Sequence, residues 1–171
     1  GKAKKPERSE HWLQVMARSG EMPTTICYNS LINAWAEAGD SERAEFWLER
    51  LCESWDARGE KLLPTLSSFT SAARAHAVKG RWKECERLFD AMRAYGLQMD
   101  ARCLTVLISA YGYAKPQQWQ RAEDVARLEA SKGHVLKGPT ACALKQALGA
   151  RRYHALALEI KIDSSMIAAK K

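Results

Sequence analysis

One apolar pattern recurs along the chain at intervals of 35 to 41 residues, and no other feature constrains the fold as strongly. It begins at Tyr28 in TTICYNSLINAWAEAGD and returns 41 residues later at Phe69 in TLSSFTSAARAHAVKGR. Leu104 in DARCLTVLISAYGYAKP follows after 35 more, and Ala141 in GPTACALKQALGARR after another 37. Each start opens about a dozen residues with apolar side chains three and four apart, the spacing of an amphipathic helix. Each such stretch closes on small or turn-forming residues: Ala38-Gly39-Asp40, Lys79-Gly80-Arg81, Ala114-Lys115-Pro116 and Gly149-Ala150.

A second helical stretch follows the turn in ERAEFWLERLCE, KECERLFDAMRAYG and QRAEDVARLEASKG. The triplet Arg-Ala-Glu recurs at 43–45 and 121–123, and Trp12-Leu13 matches Trp47-Leu48. HWLQVMARSGEMPT therefore reads as the second helix of an earlier repeat, with Met16, Leu51 and Met92 at one equivalent place. Gly20, Gly96 and Gly133 stand where left-handed helix stops are expected, and Pro23 and Pro64 follow as breakers.

The expected fold is all-α, an α-solenoid of helix–turn–helix repeats. Its divisions are a basic tail over 1–8, the second helix of a partial repeat over 9–24, and repeat one over 25–65 with about six extra residues. Repeat two covers 66–100, repeat three 101–137, a shortened repeat four 138–162, and a second basic tail 163–171. One hairpin cannot bury its own apolar face; stacked hairpins share a continuous core, with the first helices lining a concave surface. The aromatics Trp35, Phe46, Trp47, Trp82, Phe89, Tyr111 and Trp119 are expected in that core.

Charge is uneven. Residues 25–65 hold four basic and eight acidic side chains, a net of −4, whereas 66–171 hold eighteen and nine, a net of +9. A polyanion is drawn to the C-terminal two-thirds. The five cysteines form no CxxC pair and are expected as small buried hydrophobes under reducing conditions. His11, His76, His134 and His154 have no metal-ligand spacing, so no metal or other cofactor is expected. No apolar run reaches the ~20 residues of a membrane span. Glu42, Glu45 and Glu49 run down one helix as a solvated face rather than a catalytic cluster. The chain opens on Gly1 rather than methionine, as a mature form or a fragment does.

TTICYNSLINAWAEAGDSERAEFWLERL and SSFTSAARAHAVKGRWKECERLFDAMRAYGLQMD closely resemble pentatricopeptide repeat (PPR) units. The 35-residue unit, Tyr-Asn before Leu-Ile, Ala-Gly at the turn and Pro near the repeat end carry the resemblance, which extends over about residues 9–160. Tetratricopeptide repeats have a 34-residue period and a Trp–Leu-Gly–Tyr pattern, which this chain lacks. The resemblance implies binding of single-stranded RNA or rRNA in a mitochondrion or plastid, one base per repeat.

It places base reading on the residue after the first-helix aromatic and the last residue of the repeat. Thr70 with Asp100 implies guanine; Asn29, with Thr65 as candidate partner, implies a pyrimidine; Thr105, with Lys137 as an atypical partner, implies a purine. Cys142 implies no base. Ile26, Ser67 and Arg102 fall where the family clamps bases between neighbouring repeats. Where the family often has a lysine near the RNA phosphates, this chain has Glu37, Val78 and Tyr113. Editing and cleaving members carry an appended domain, and the deaminase pattern HxE…CxxC is absent here, so no enzyme is expected. The alternative is a non-catalytic interaction subunit of a large organellar assembly, a ribosome or a membrane-bound energy complex, contacting protein subunits or rRNA without entering the membrane.

Overall fold

The computed structural model describes residues 6–55 and 59–160. Eight helices fall among them: α1 Pro6–Arg18, α2 Thr25–Glu37, α3 Ser41–Glu53, α4 Leu66–Val78, α5 Trp82–Ala94, α6 Ala101–Tyr113, α7 Trp119–Ser131 and α8 Gly138–Glu159. The protein is all-α, built from helix–turn–helix units of the α-solenoid class. The isolated β pairing of Trp55 with Lys61 is the only one among the described residues. None of the described helices is long and apolar enough to cross a membrane.

The described residues pack as two compact units. One takes the chain through Ala75 together with Arg87–Gln98; the other takes His76–Glu86 and the chain from Met99 onward. In the first unit α2 packs on α1 and α3. Its fully buried side chains include Leu31, Ile32, Leu51, Phe89 and Met92, and Tyr28 stacks against Trp47 with ring centres 6.2 Å apart. In the second unit α6 packs on α7 and α8. Ile108, Leu144, Tyr153 and Leu156 lie at its centre. Gly112 admits α8 closely, since a Cβ there would stand 3.2 Å from the Ala147 backbone.

Local chemistry decides where the helices begin and end. Asp40 caps α3 by accepting from the Arg43 N–H at 3.0 Å. α2 stops in a Schellman turn: the Gly39 N–H donates to the Ala36 carbonyl and the Asp40 N–H to that of Trp35. The same turn closes α4, through Gly80 on Ala77 and Arg81 on His76. α8 is broken at Gly149, with φ 75° and ψ 166°, into two helical stretches.

Ion pairs link helices that are far apart in sequence. Arg43 of α3 meets Glu10 of α1, and Arg87 of α5 meets Glu45 of α3. In the second unit Arg121 of α7 meets Glu86 at 2.8 Å and Arg127 meets Glu159 at 3.1 Å. Arg43 also lies over the Trp35 ring and Arg121 over Trp82, each 4.4 Å from the ring centre. Exposed pairs of this kind contribute about 0–1 kcal/mol each. Their larger effect is on charge, because these arginines are already committed.

The all-α repeat expectation holds, with four differences of detail. α1 begins at Pro6, so residues 6–8 are helical rather than part of a tail; the expected tail over 163–171 lies outside the described residues. Phe46 is exposed instead of core, with Arg50 above its ring. Trp82 and Trp119 are only half-buried, each covered by an arginine, Arg121 and Arg152. Of the cysteines, only Cys85 and Cys103 are buried; Cys142 is exposed. Burial, with Glu84 and Glu86 adding to it, pushes the Cys85 thiol up to about 12, which keeps it protonated and inert.

Gly80 separates two requirements that usually coincide. It has a left-handed φ of 68°, and a Cβ there would lie 2.4 Å from the Tyr113 carbonyl oxygen; Gly39 has φ 80° with open space around it. Gly39→Ala should cost about 1–2 kcal/mol from the left-handed backbone alone, and Gly80→Ala distinctly more. Urea unfolding of the two variants checks the difference, and equal losses would contradict it.

Candidate nucleic-acid interface

The side chains expected to read bases sit near the starts of α2, α4 and α6. Asn29 is half-buried as the fifth residue of α2. Its Nδ2 donates to Thr65 Oγ1 at 3.2 Å, and its Oδ1 accepts from Ser68 Oγ. Thr65 and Ser68 cap α4 reciprocally: the Thr65 N–H donates to Ser68 Oγ at 2.9 Å, and the Ser68 N–H to Thr65 Oγ1 at 3.4 Å. The structure thus brings Asn29 and Thr65 into direct contact across 36 residues.

The contact forms although this repeat carries extra residues, and the described residues on either side of them meet each other. The Leu62 N–H donates to the Ser54 carbonyl at 2.9 Å, beside the Trp55–Lys61 bridge. Ser54 Oγ donates to the Arg50 carbonyl at 2.6 Å and lies 2.7 Å from the Tyr28 hydroxyl. The loop is pinned at its base to the hairpin it interrupts, and Pro64-Thr65 resumes the regular path.

In the second unit Thr105 donates to the Ala101 carbonyl at 2.7 Å and touches Thr140 Oγ1 at 2.8 Å. Its contact is therefore Thr140, whereas Lys137 is exposed just before α8. Thr70 belongs to the first unit and turns its hydroxyl back to the Leu66 carbonyl at 2.6 Å. Asp100 belongs to the second unit and is the N-cap of α6. One carboxylate oxygen accepts from the Arg102 and Cys103 N–H groups, each at 2.9 Å, and the other from Arg102 Nε at 2.9 Å. Burial raises its pKa, but the hydrogen bonds from Cys103 and Arg102 outweigh burial and hold it below the ordinary carboxylate value. Ile26, Ser67 and Arg102 are all exposed at first-helix starts.

About two turns further along the helices, the expected lysine positions hold a different arrangement. Asn33 Nδ2 donates to Glu37 at 2.8 Å, and Arg74 donates to Asn33 Oδ1 at 2.8 Å. Val78 and Tyr113 are exposed without charge. Arg74 is thus a cation on the first-helix row, held one turn before the place where the lysine was expected. Sequence reasoning passed over Ser68, Thr140 and Arg74. Register was the available signal: Ser68 and Thr140 each stand one residue before the repeat's first-helix reference position, and Arg74 stands four after Thr70.

With that geometry in view, the likeness to known proteins is specific. The PPR repeat family matches residues 26–55 and 67–97. Those two segments are PPR repeats, and the fold around them is of the PPR kind. A crystal structure of the pentatricopeptide repeat protein PPR10 in complex with an 18-nt psaJ RNA element is similar at 24% identity and TM-score 0.69, over 93% of this chain and 24% of that one. A crystal structure of the pentatricopeptide repeat protein PPR10 from maize is similar at 22% identity and TM-score 0.70, over 91% of this chain and 21% of that one. The chain spans about a quarter of the length of those proteins. Among curated proteins none matches it.

Asp100 yields a pH prediction. Its folded pKa is depressed, so the stability it adds is complete above the ordinary carboxylate value of 3.8 and is lost as the pH falls below it. Asp100→Asn retains a capping oxygen without the charge, so its unfolding curve should approach the wild type's on acidification. Asp100→Ala should lose about 1 kcal/mol at neutral pH. Parallel denaturation at neutral and acid pH tests this; a wild-type advantage over Asp100→Asn that persists at low pH would refute it.

Proposed function

We propose that this chain is a single-stranded RNA-binding PPR module serving RNA processing, stability or translation in a mitochondrion or plastid, with no chemistry of its own. The observation that carries this reading is the Asn29–Thr65 contact, which sets two base-reading positions side by side despite the extra residues between them. The likeness of the whole described fold to PPR10, seen with RNA, supports it. Repeats over 25–65, 66–100, 101–137 and 138–162 form the reading array, with Asn29, Thr70, Asp100 and Thr105 facing bases and Ser67 and Arg102 flanking them. An amide, hydroxyl or carboxylate group in each repeat offers one donor–acceptor pattern per repeat, which is what distinguishing base edges requires.

Charge supports a particular version of this. Arg74 stands on the first-helix row beside Asn33. Lys115, Lys137, Lys145 and Arg151 have no carboxylate partner among the described residues. Attraction for phosphate therefore rests on Arg74 and on the second unit, since Glu37 opposes it. A second reading, docking onto protein or rRNA within a large assembly, is favoured by Glu37, Val78 and Tyr113 in place of cations.

Titration with single-stranded oligonucleotides at several salt concentrations tests the proposal. Each phosphate contact contributes a slope of about −0.7 in log K against log salt. Arg74→Gln should weaken all sequences alike and flatten the slope by about one such contact. Asn29→Ala should instead reduce discrimination at one nucleotide. Absence of RNA binding at low salt would exclude this reading and leave docking.

A further inference from the structure

Two of the few buried polar side chains, Ser68 and Thr140, occupy the same register position in different repeats and make the same kind of contact. Ser68 is 0% exposed and Thr140 3%. Each is the third residue of a first helix, at α4 and α8. Each reaches back to the reading residue of the preceding repeat, Ser68 to Asn29 across 39 residues and Thr140 to Thr105 across 35. The two contacts lie in separate units of the structure, so neither is a by-product of the other. At this register position the chain has Cys27, Ser68, Cys103 and Thr140, small hydrogen-bonding side chains throughout.

From this recurrence we infer that the buried hydroxyls behind Asn29 and Thr105 are positioning residues: Ser68 holds the Asn29 carboxamide, and Thr140 the Thr105 hydroxyl, in one hydrogen-bonding orientation toward the base. The inference rests on the RNA reading above.

A free carboxamide can turn over and exchange its donor for its acceptor. Here it cannot do so without loss. Ser68 has one hydroxyl hydrogen, and it goes to Asn29 Oδ1, while its oxygen accepts from the Thr65 N–H. Thr65 Oγ1 accepts from Asn29 Nδ2. Turning the amide over would require the Ser68 and Thr65 hydroxyls to reverse together, and Thr65 would then donate to Oδ1 over 3.2 Å, a length that suits an N–H donor but is long for a hydroxyl. What remains on Asn29 is one N–H and one lone pair in a set order, so the opposing base edge must present an acceptor and a donor in the matching order. Thr105 is treated similarly. Its hydrogen is committed to the Ala101 carbonyl, and Thr140 shares its own between Thr105 and that carbonyl. Thr105 therefore faces a base with a lone pair, as an acceptor.

The rival account is that Ser68 only caps α4 with Thr65. A cap stabilises the helix but leaves base choice unchanged, so the two roles separate experimentally. The full chain is titrated with oligoribonucleotides that differ only at the nucleotide opposite Asn29, and the Asn29 side-chain NH2 signals are followed by NMR without RNA. Ser68→Ala should reduce the ratio of best to worst oligonucleotide by roughly fivefold, the worth of one net hydrogen bond. It should also speed hydrogen exchange at the Asn29 amide. Ser68→Thr should restore both, as Thr140 shows that this position accepts a threonine. Thr140→Val, of nearly equal shape, should do the same for the nucleotide opposite Thr105. Lower melting temperature with unchanged ratio and unchanged Asn29 signals overturns the proposal and leaves a helix cap. Wild-type protein that binds no oligonucleotide overturns the RNA reading and this inference with it; binding with an unaltered Ser68→Ala ratio overturns this inference alone.

Discussion

An isolated helix of thirteen residues is barely stable in water, because nucleation costs more than so few hydrogen bonds return. Seven of the eight helices here have that length. Each therefore depends on the apolar stripe it shares with neighbouring helices. In the first unit Leu31 and Ile32 of α2 meet this need with Leu51 of α3; in the second Ile108 of α6 does so with Leu144 of α8. The polar faces are then left for other purposes, and everything distinctive about this protein lies on them.

On those faces the positive balance of the C-terminal two-thirds is smaller in effect than in count. Arg87, Arg121 and Arg127 are paired with Glu45, Glu86 and Glu159, and Arg152 lies 3.3 Å over the centre of the Trp119 ring. Such contacts spend charge on setting helix against helix. Glu129 shows the same economy inside the fold: it is buried yet charged, because Lys132 and His134 contact its two oxygens. A buried carboxylate without those partners would be costly.

The first helices follow another logic on their polar faces. The residues proposed to read bases are not free side chains waiting for a ligand. Asn29 is held by Thr65 and Ser68, Thr105 by Ala101 and Thr140, and Asp100 by the start of α6. Holding a side chain before binding removes part of the ordering cost when the ligand arrives. It also limits which hydrogens and lone pairs remain available.

The helices, their turns and the repeat were legible along the chain. These depend on side chains three or four residues apart and on glycines such as Gly39 and Gly80, whose backbone preference acts locally. The sequence also carried the candidate reading positions, because register is counted along the chain. Tertiary structure alone decided what those positions touch. The Asn29–Thr65 and Asn29–Ser68 contacts join residues 36 and 39 apart, and the inserted loop could have displaced them. The exposure of Phe46 and the half-burial of Trp82 and Trp119 were likewise illegible, since an aromatic on a helical stripe has the same period whether a helix or an arginine covers it. Local spacing specifies a face; only packing specifies what meets that face.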